Sequence, residues 1–148
     1  MSTKILITIL ALGIIAGCSK DKYQSKPTLT YKKVNTKFLN NNETLTFTLH
    51  VTDAEGDLQD SLWVQESVKN CANGGFTAKY KMPDFTATKN LSGDIQICYS
   101  YGINLGCPNI SHSSCANRND TATFKFWLQD LAKNKSDTIS SEQVVISK

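Results

Sequence analysis

The chain has no block of like charge beyond the Lys32-Lys33 pair, and its formal net charge is only +3 over 148 residues. That removes the basic stripe with which a nucleic-acid binder neutralises phosphates. No phosphate loop, dinucleotide fingerprint or nucleophile elbow occurs, so nucleotide chemistry and serine-hydrolase chemistry lack their sequence supports. There is no Cys-x-x-Cys pair to begin a zinc site and no EF-hand spacing. No helical period is sustained over three turns. The one long apolar run, Ile5 to Ala16, is about a dozen residues, short of the ~20 that cross a bilayer as a helix. Hydrophobic content of 40% and charged content of 20% are nevertheless those of a chain that folds around a core.

That short run has a different meaning at the amino terminus. Met1 to Lys4 carries one positive charge, and Thr8 and Gly13 alone interrupt the apolar stretch behind it. This is the layout of a secretory signal segment. Ile15-Ala16-Gly17-Cys18 then resembles the lipobox of bacterial lipoproteins: a branched apolar residue, two small residues, and a cysteine. Small residues let a peptidase approach the backbone, and the thiol is the only group there that can carry a thioether-linked lipid. The resemblance implies cleavage after residue 17 and acylation of Cys18 by two or three chains, which hold a protein on a bilayer far better than one. Ser19-Lys20-Asp21-Lys22 partly resembles the surface-export signal of Bacteroidetes lipoproteins, with Lys22 in place of a second acidic residue. The expected location is the cell envelope, at the outer membrane, with surface display open.

Removing the first 17 residues leaves 131, the size of one domain with a short tether. The expected organisation is a signal peptide over 1–17, a lipidated cysteine and flexible tether over 18–27, and one folded domain over 28–148. In that domain Leu45, Phe47, Leu49 and Val51 alternate with Thr44, Thr46, Thr48, His50 and Thr52, the pattern of a half-buried strand. Ala122, Phe124, Phe126 and Leu128 repeat it over 121–129. Further strands are expected over 61–68, 76–82, 95–101, 28–34 and 138–146. Asp53-Ala54-Glu55-Gly56 suits a type I turn. Asp130 to Asn134 suits a hairpin loop, with Asn134 in the left-handed conformation. About seven such strands predict an all-β, two-sheet sandwich.

The segments FTLHVTDAEGDLQDSLWV and TATFKFWLQDLAKNKSDTISSEQVVI resemble the first and last thirds of immunoglobulin-like domains of Bacteroidetes cell-surface lipoproteins. The shared features are a strand running into an Asp/Gly-rich turn and a closing hairpin of the form Asp-x-x-x-Asn-x-Ser-Asp. The resemblance implies an immunoglobulin-like fold and export; it implies little about activity, because this fold hosts many functions.

Four cysteines remain besides Cys18: Cys71, Cys98, Cys107 and Cys115. An even number in an exported chain predicts two disulfides in one of three connectivities. Cys107–Cys115 is favoured because it would clamp a loop rich in turn formers, which leaves Cys71–Cys98. No cysteine is expected to act as a nucleophile, since His50 and His112 are the only partners available and neither lies in an orienting motif. Ser111 and Ser113 flank His112 without the acid and oxyanion hole that a hydrolase needs.

The loops after the second and sixth expected strands emerge at one pole of such a sandwich and carry Asp53, Glu55, Asp57, Asp60 and Asp130. Of these, Asp53, Glu55, Asp57 and Asp130 are the candidate ligands for calcium, which takes six to eight oxygens in irregular geometry; no other cofactor is expected. Trp63 and Trp127 fall on the outward parity of their strands, near Lys125, and are candidates to stack on a sugar or anchor a partner. Asp-Ser/Thr-apolar triplets mark Ser61, Thr121 and Thr138 as candidate O-glycosylation acceptors in a Bacteroidetes host. The expectation is a membrane-anchored, non-enzymatic binding or adhesion module. Its partners are the bilayer, through acylated Cys18, and a glycan or protein, with no nucleic acid. A structural or accessory subunit of an envelope complex is the alternative, and a hydrolase the remote one.

Overall fold

The computed structural model describes residues 25–115 and 117–148. The expected signal segment, Cys18 and the tether as far as residue 24 lie outside the described residues.

Ten strands follow in order: β1 (Thr28–Val34), β2 (Phe38–Leu39), β3 (Glu43–Asp53), β4 (Ser61–Val68), β5 (Thr77–Lys81), β6 (Leu91–Tyr101), β7 (Asn109–Ile110), β8 (Asp120–Gln129), β9 (Ile139–Ser140) and β10 (Val144–Ile146). They form two sheets, β1-β3-β6-β7 and β2-β10-β8-β4-β5, with β9 also on β8. The chain is therefore an all-β two-sheet sandwich, as its alternating pattern predicts. The main strands pair antiparallel; β7 and β2 add short parallel edges to β6 and β10. Among the described residues no helix is long and apolar enough to cross a membrane.

The period-two pattern puts β3 and β8 face to face. Leu45, Phe47, Leu49 and Val51 of β3 and Ala122, Phe124, Phe126 and Leu128 of β8 are all buried. Phe47 packs its ring 4.7 Å from that of Phe124 and 5.1 Å from that of Phe126, close to the separation that aromatic pairs prefer. Emptying such a site costs ~3–5 kcal/mol, so Phe47 is a principal contact between the sheets.

The differences from the expected strands are at the edges. The closing strand expected over 138–146 is broken into β9 and β10, because Ser141 turns its hydroxyl back to the Phe124 amide (3.0 Å). β6 begins at Leu91, four residues earlier than its hydrophobic pattern suggests, because its polar first half is paired along β3 down to Asp53. The left-handed residue of the 130–134 loop is Lys133 (φ 72°), not Asn134. Asn134 instead uses its side chain to hydrogen-bond Asp130.

The disulfides are Cys71–Cys115 and Cys98–Cys107, with Cα separations of 5.7 and 5.5 Å. This corrects the favoured Cys107–Cys115 and Cys71–Cys98 pairing. Each bond stays with one sheet. Cys98 lies on β6, and β7 returns along its end at Ser100 and Tyr101, bringing Cys107 back beside it. Cys71 follows β4 and Cys115 precedes β8, and those two strands pair at Val68 and Ala122. Loop length alone carried no information about which sheet each cysteine joins.

Both disulfides lie toward one pole of the sandwich, with the 69–76 and 102–119 loops. At the other pole the 54–60, 82–90 and 130–138 loops meet the amino-terminal end of the domain. Ser25 packs there: its hydroxyl donates to Glu55 (2.9 Å), and its carbonyl accepts from Asn134 Nδ2 (3.2 Å). Pro27 is buried, so the last residues of the expected tether belong to the folded unit.

Candidate functional site

The acidic pole brings three of the four expected metal ligands together. Asp53, at the end of β3, and Asp130, just after β8, are both fully buried. Asp57 reaches in from the loop between β3 and β4. Each of the three offers a carboxylate oxygen, and these oxygens lie within 4.8 Å of one another. The local chain explains the convergence. Asp53 Oδ2 accepts from the amides of Gly56 (2.6 Å) and Asp57 (3.3 Å), which folds the turn over its own carboxylate. Gly56 has φ 70°, and a Cβ there would lie 2.1 Å from the Thr88 carbonyl oxygen, so this turn requires glycine. Asp57 Oδ2 accepts from the Ala132 amide (3.2 Å), and the Asp57 carbonyl accepts from the Leu131 amide (2.9 Å). Asp130 accepts from the Asn134 amide (2.7 Å) and side chain (2.9 Å).

These bonds leave two oxygens over. Asp53 Oδ1 and Asp57 Oδ1 are buried and have no hydrogen-bond partner. Burial pushes the Asp53 carboxyl above the usual range, against the pull of the Gly56 and Asp57 amides. Two carboxylate charges within 4.8 Å repel by at least ~3 kcal/mol at the effective dielectric near a protein surface. Among the described residues no lysine, arginine or histidine pairs with any of the three. Glu55, the fourth expected ligand, is corrected: it is exposed and turned to Ser25, because its position in the turn points it away from the loop core. Asp60 is paired instead with Lys133 at 2.8 Å, which holds its carboxyl below the usual range.

Trp63 and Trp127 are half-buried on the outer face of the β4–β8 sheet. They are direct cross-strand neighbours and stack with centroids 5.8 Å apart and planes within 8°. Lys79 lies over Trp63 (5.5 Å) and Lys135 over Trp127 (5.1 Å). The four side chains form a row across the sheet in which each ring has its neighbour on one face and an ammonium over it. A sugar stacking on either ring would displace a lysine. Lys125, the expected companion, is exposed on the same strand; Lys79 and Lys135 are the cations that reach the rings.

The two sheets do not close along one side. A groove of about 500 Å³ runs between β5 and the first part of β6, with Val51, Leu58 and Leu62 inside it and Tyr80, Met82 and Ile95 along its sides. Among the described residues nothing pairs with the outer side of β5, or with the side of β6 away from β3 ahead of Ser100. Both rims therefore present unpaired strand edges. Gly93 faces the groove beside Val51, and a Cβ placed there meets nothing within 4 Å. Sequence reasoning missed this groove. Ala78, Tyr80, Leu91 and Ile95 hold the inward parity, and only the structure shows that they are merely half-buried.

Two serine–histidine–carboxylate groupings are present. On the outer face of the β1–β3–β6 sheet, His50 Nδ1 lies 2.8 Å from Asp94 Oδ1, and its Nε2 lies 3.4 Å from Ser92 Oγ. Asp94 is also paired with Lys32 (2.7 Å), whose ammonium is the main cause of its lowered pKa. The three side chains lie on the exposed face of the sheet. At the cystine pole, Ser113 Oγ donates to Asp120 (2.7 Å), while His112 directs both ring nitrogens at the carbonyls of Ser113 and Arg118 (2.6 Å each). No hydroxyl is in line with His112. Behind this cluster Glu66 is buried among core residues, and burial, assisted by the charge of Asp120, pushes its carboxyl up to about 7.

Of the expected glycosylation acceptors, Thr138 is exposed and Thr121 half-buried. Ser61 is corrected: it is fully buried, its hydroxyl packed at the start of β4, where no glycan could be attached to the folded domain.

No protein-family model matches the chain, and no curated protein sequence matches it. Among solved structures it is similar to the sporulation control protein Spo0M from Bacillus subtilis, at 7% identity and a TM-score of 0.46, over 84% of this chain. The chain spans about half (51%) of that protein's length. It is also similar to the CARDB domain of a Pyrococcus furiosus protein in complex with di-metal ions, at 12% identity and a TM-score of 0.35, over 83% of this chain and 96% of that one. At these scores neither neighbour speaks to the ligand or activity of this β-sandwich.

Proposed function

We propose that this chain is a lipid-anchored, non-enzymatic binding module of the bacterial cell envelope, and that its groove takes an extended segment of a partner protein. Anchoring is supported by the lipobox-like run ending at Cys18. The two disulfides use the other four cysteines, so Cys18 is the one thiol left to carry lipid, in a chain whose disulfides suit an oxidising compartment.

The observation that carries the binding role is the groove between two unpaired strand edges. An acyl chain would fill an apolar slot but leave the edge amides and carbonyls unpaired. An extended peptide satisfies both, pairing its backbone with an edge and setting alternate side chains inside. Lys79 and Lys81 face out along β5, and like charges on an exposed edge oppose pairing with a second copy. The favoured partner segment therefore alternates apolar with acidic residues.

The test uses the mature chain and a synthetic peptide alternating valine and glutamate, with myristate as the competing probe. The expected result is peptide binding by fluorescence anisotropy, lost in Gly93→Leu, which fills the groove without unfolding the domain. Binding of myristate but not peptide, or peptide binding unaffected by Gly93→Leu, would overturn the groove assignment. For the anchor, Cys18→Ser should move the protein from the membrane to the soluble fraction and remove the acyl mass from the intact protein. An accessory subunit of a fixed complex would differ in one respect. A photo-crosslinker placed at position 93 in cells would then yield a single stoichiometric product, and no free module would be recovered.

A further inference from the structure

We propose that Asp53, Asp57 and Asp130 bind a calcium ion that clamps the loops of the acidic pole to the point where the amino-terminal segment enters the domain. Two independent observations carry this. Three carboxylate oxygens, two from the β3–β4 turn and one from the loop after β8, lie within 4.8 Å of one another, and no described cation pairs with them. Separately, Asp53 is fully buried with its Oδ1 unpartnered, and Asp57 Oδ1 is buried and unpartnered beside it. Buried carboxylate oxygens are ordinarily hydrogen-bonded or bound to a metal. Every other oxygen of the three side chains accepts from a backbone amide or from Asn134, so the two unused oxygens are those left for a ligand.

The donor set selects the class of ion. It is all oxygen, with no histidine or thiolate, which favours a hard cation over zinc or copper. Calcium takes six to eight oxygens in a flexible shell, whereas magnesium demands a near-ideal octahedron and gives up its waters reluctantly. A trio drawn from one turn and a facing loop suits the looser shell. The remaining positions would be filled by water and by carbonyl oxygens of the same loops.

The neighbouring contacts give the ion its consequence. Asp57 fixes Ala132 and Leu131, Asp130 fixes Asn134, and Asn134 holds the Ser25 carbonyl. One ion would thereby tie the β3–β4 turn, the β8–β9 loop and Ser25 into a single unit.

The test is calorimetric titration of the metal-stripped mature chain with calcium chloride, with thermal melting and amide exchange in parallel. Expected are one binding site and a melting temperature raised by several degrees at millimolar calcium. Exchange should slow at residues 25, 57, 131 and 134, and stay unchanged in the Cys98–Cys107 loop. Asp53→Asn and Asp57→Asn should each weaken binding at least about tenfold and raise the melting temperature of the ion-free protein, because each relieves like-charge repulsion. Glu55→Gln and Asp60→Asn should bind as the parent does. Absence of heat and of any melting shift, an equal response to magnesium, or undiminished binding by Asp53→Asn would each overturn the assignment.

Discussion

The two poles of the sandwich are held together by opposite means. At one, Cys71–Cys115 and Cys98–Cys107 tie the loops covalently. At the other, three carboxylates draw the loops inward through backbone amides while repelling one another. Covalent closure is indifferent to salt and ions and responds only to reductant. The acidic pole is indifferent to reductant and answers to protons, through the raised carboxyl of Asp53, and on our proposal to calcium. One domain thus carries a pole of fixed strength and a pole of adjustable strength.

The sharpest way to break this contrast is to open the disulfides. Cys71 and Cys115 are 44 residues apart and Cys98 and Cys107 only 9, so chain-entropy bookkeeping assigns ~4 kcal/mol to the first bond and ~3 kcal/mol to the second. Urea unfolding of Cys71→Ser/Cys115→Ser and of Cys98→Ser/Cys107→Ser should show losses in that order. The reverse order would mean that the sheet-edge contacts around Cys98, rather than loop entropy, set the value.

Next in size is a pH effect inside the cystine half. Glu66 is held at about 7, above its ordinary 4.5. Between those values the folded chain keeps a proton that the unfolded chain has released, so stability falls as pH rises through this window. The loss is ~3 kcal/mol in all, at 1.36 kcal/mol per unit. Glu66→Gln should flatten the profile between pH 4.5 and 7 and leave the mutant the more stable above it. A profile that the substitution leaves unchanged would show that another group governs the slope. Asp53 acts in the same direction at the acidic pole, since its raised pKa makes ionisation costly as pH climbs above the usual carboxylate range. Glu66→Gln should leave that residual slope in place, and Asp53→Asn should remove it.

The smallest effect lies between the poles, in the row of Lys79, Trp63, Trp127 and Lys135. Lys135→Ala should cost ~0.5–1 kcal/mol, the value of a cation over an exposed indole, and should shift the tryptophan emission. A larger loss would mean that this row does more than cover the sheet.

The central strands were legible in the sequence because β3, β4 and β8 each have a core face and an outer face, and that environment writes itself into alternating residues. β2, β7, β9 and β10 were hidden or misdrawn because two or three residues hold no period; they exist only through the strands they pair with. The acidic cluster was legible in outline, since topology alone puts the Asp53 and Asp130 loops at one end. It was wrong at Glu55, because sequence does not say which side of a turn a side chain leaves. The cystine pairing failed for a related reason: sheet membership, not spacing along the chain, decides which thiols meet. The groove could not be read at all, since it consists of a neighbour that β6 does not have.

The position of Ser25 has a geometric consequence. The proposed lipid on Cys18 is seven chain steps from Ser25, a leash of at most ~25 Å at full extension. The β3 strand, with its 11 residues, is ~36 Å tall at ~3.3 Å per residue, longer than that leash. Such an anchor would hold the acidic pole within ~25 Å of the lipid, whereas the cystine pole, a strand length further along the domain, is not so held.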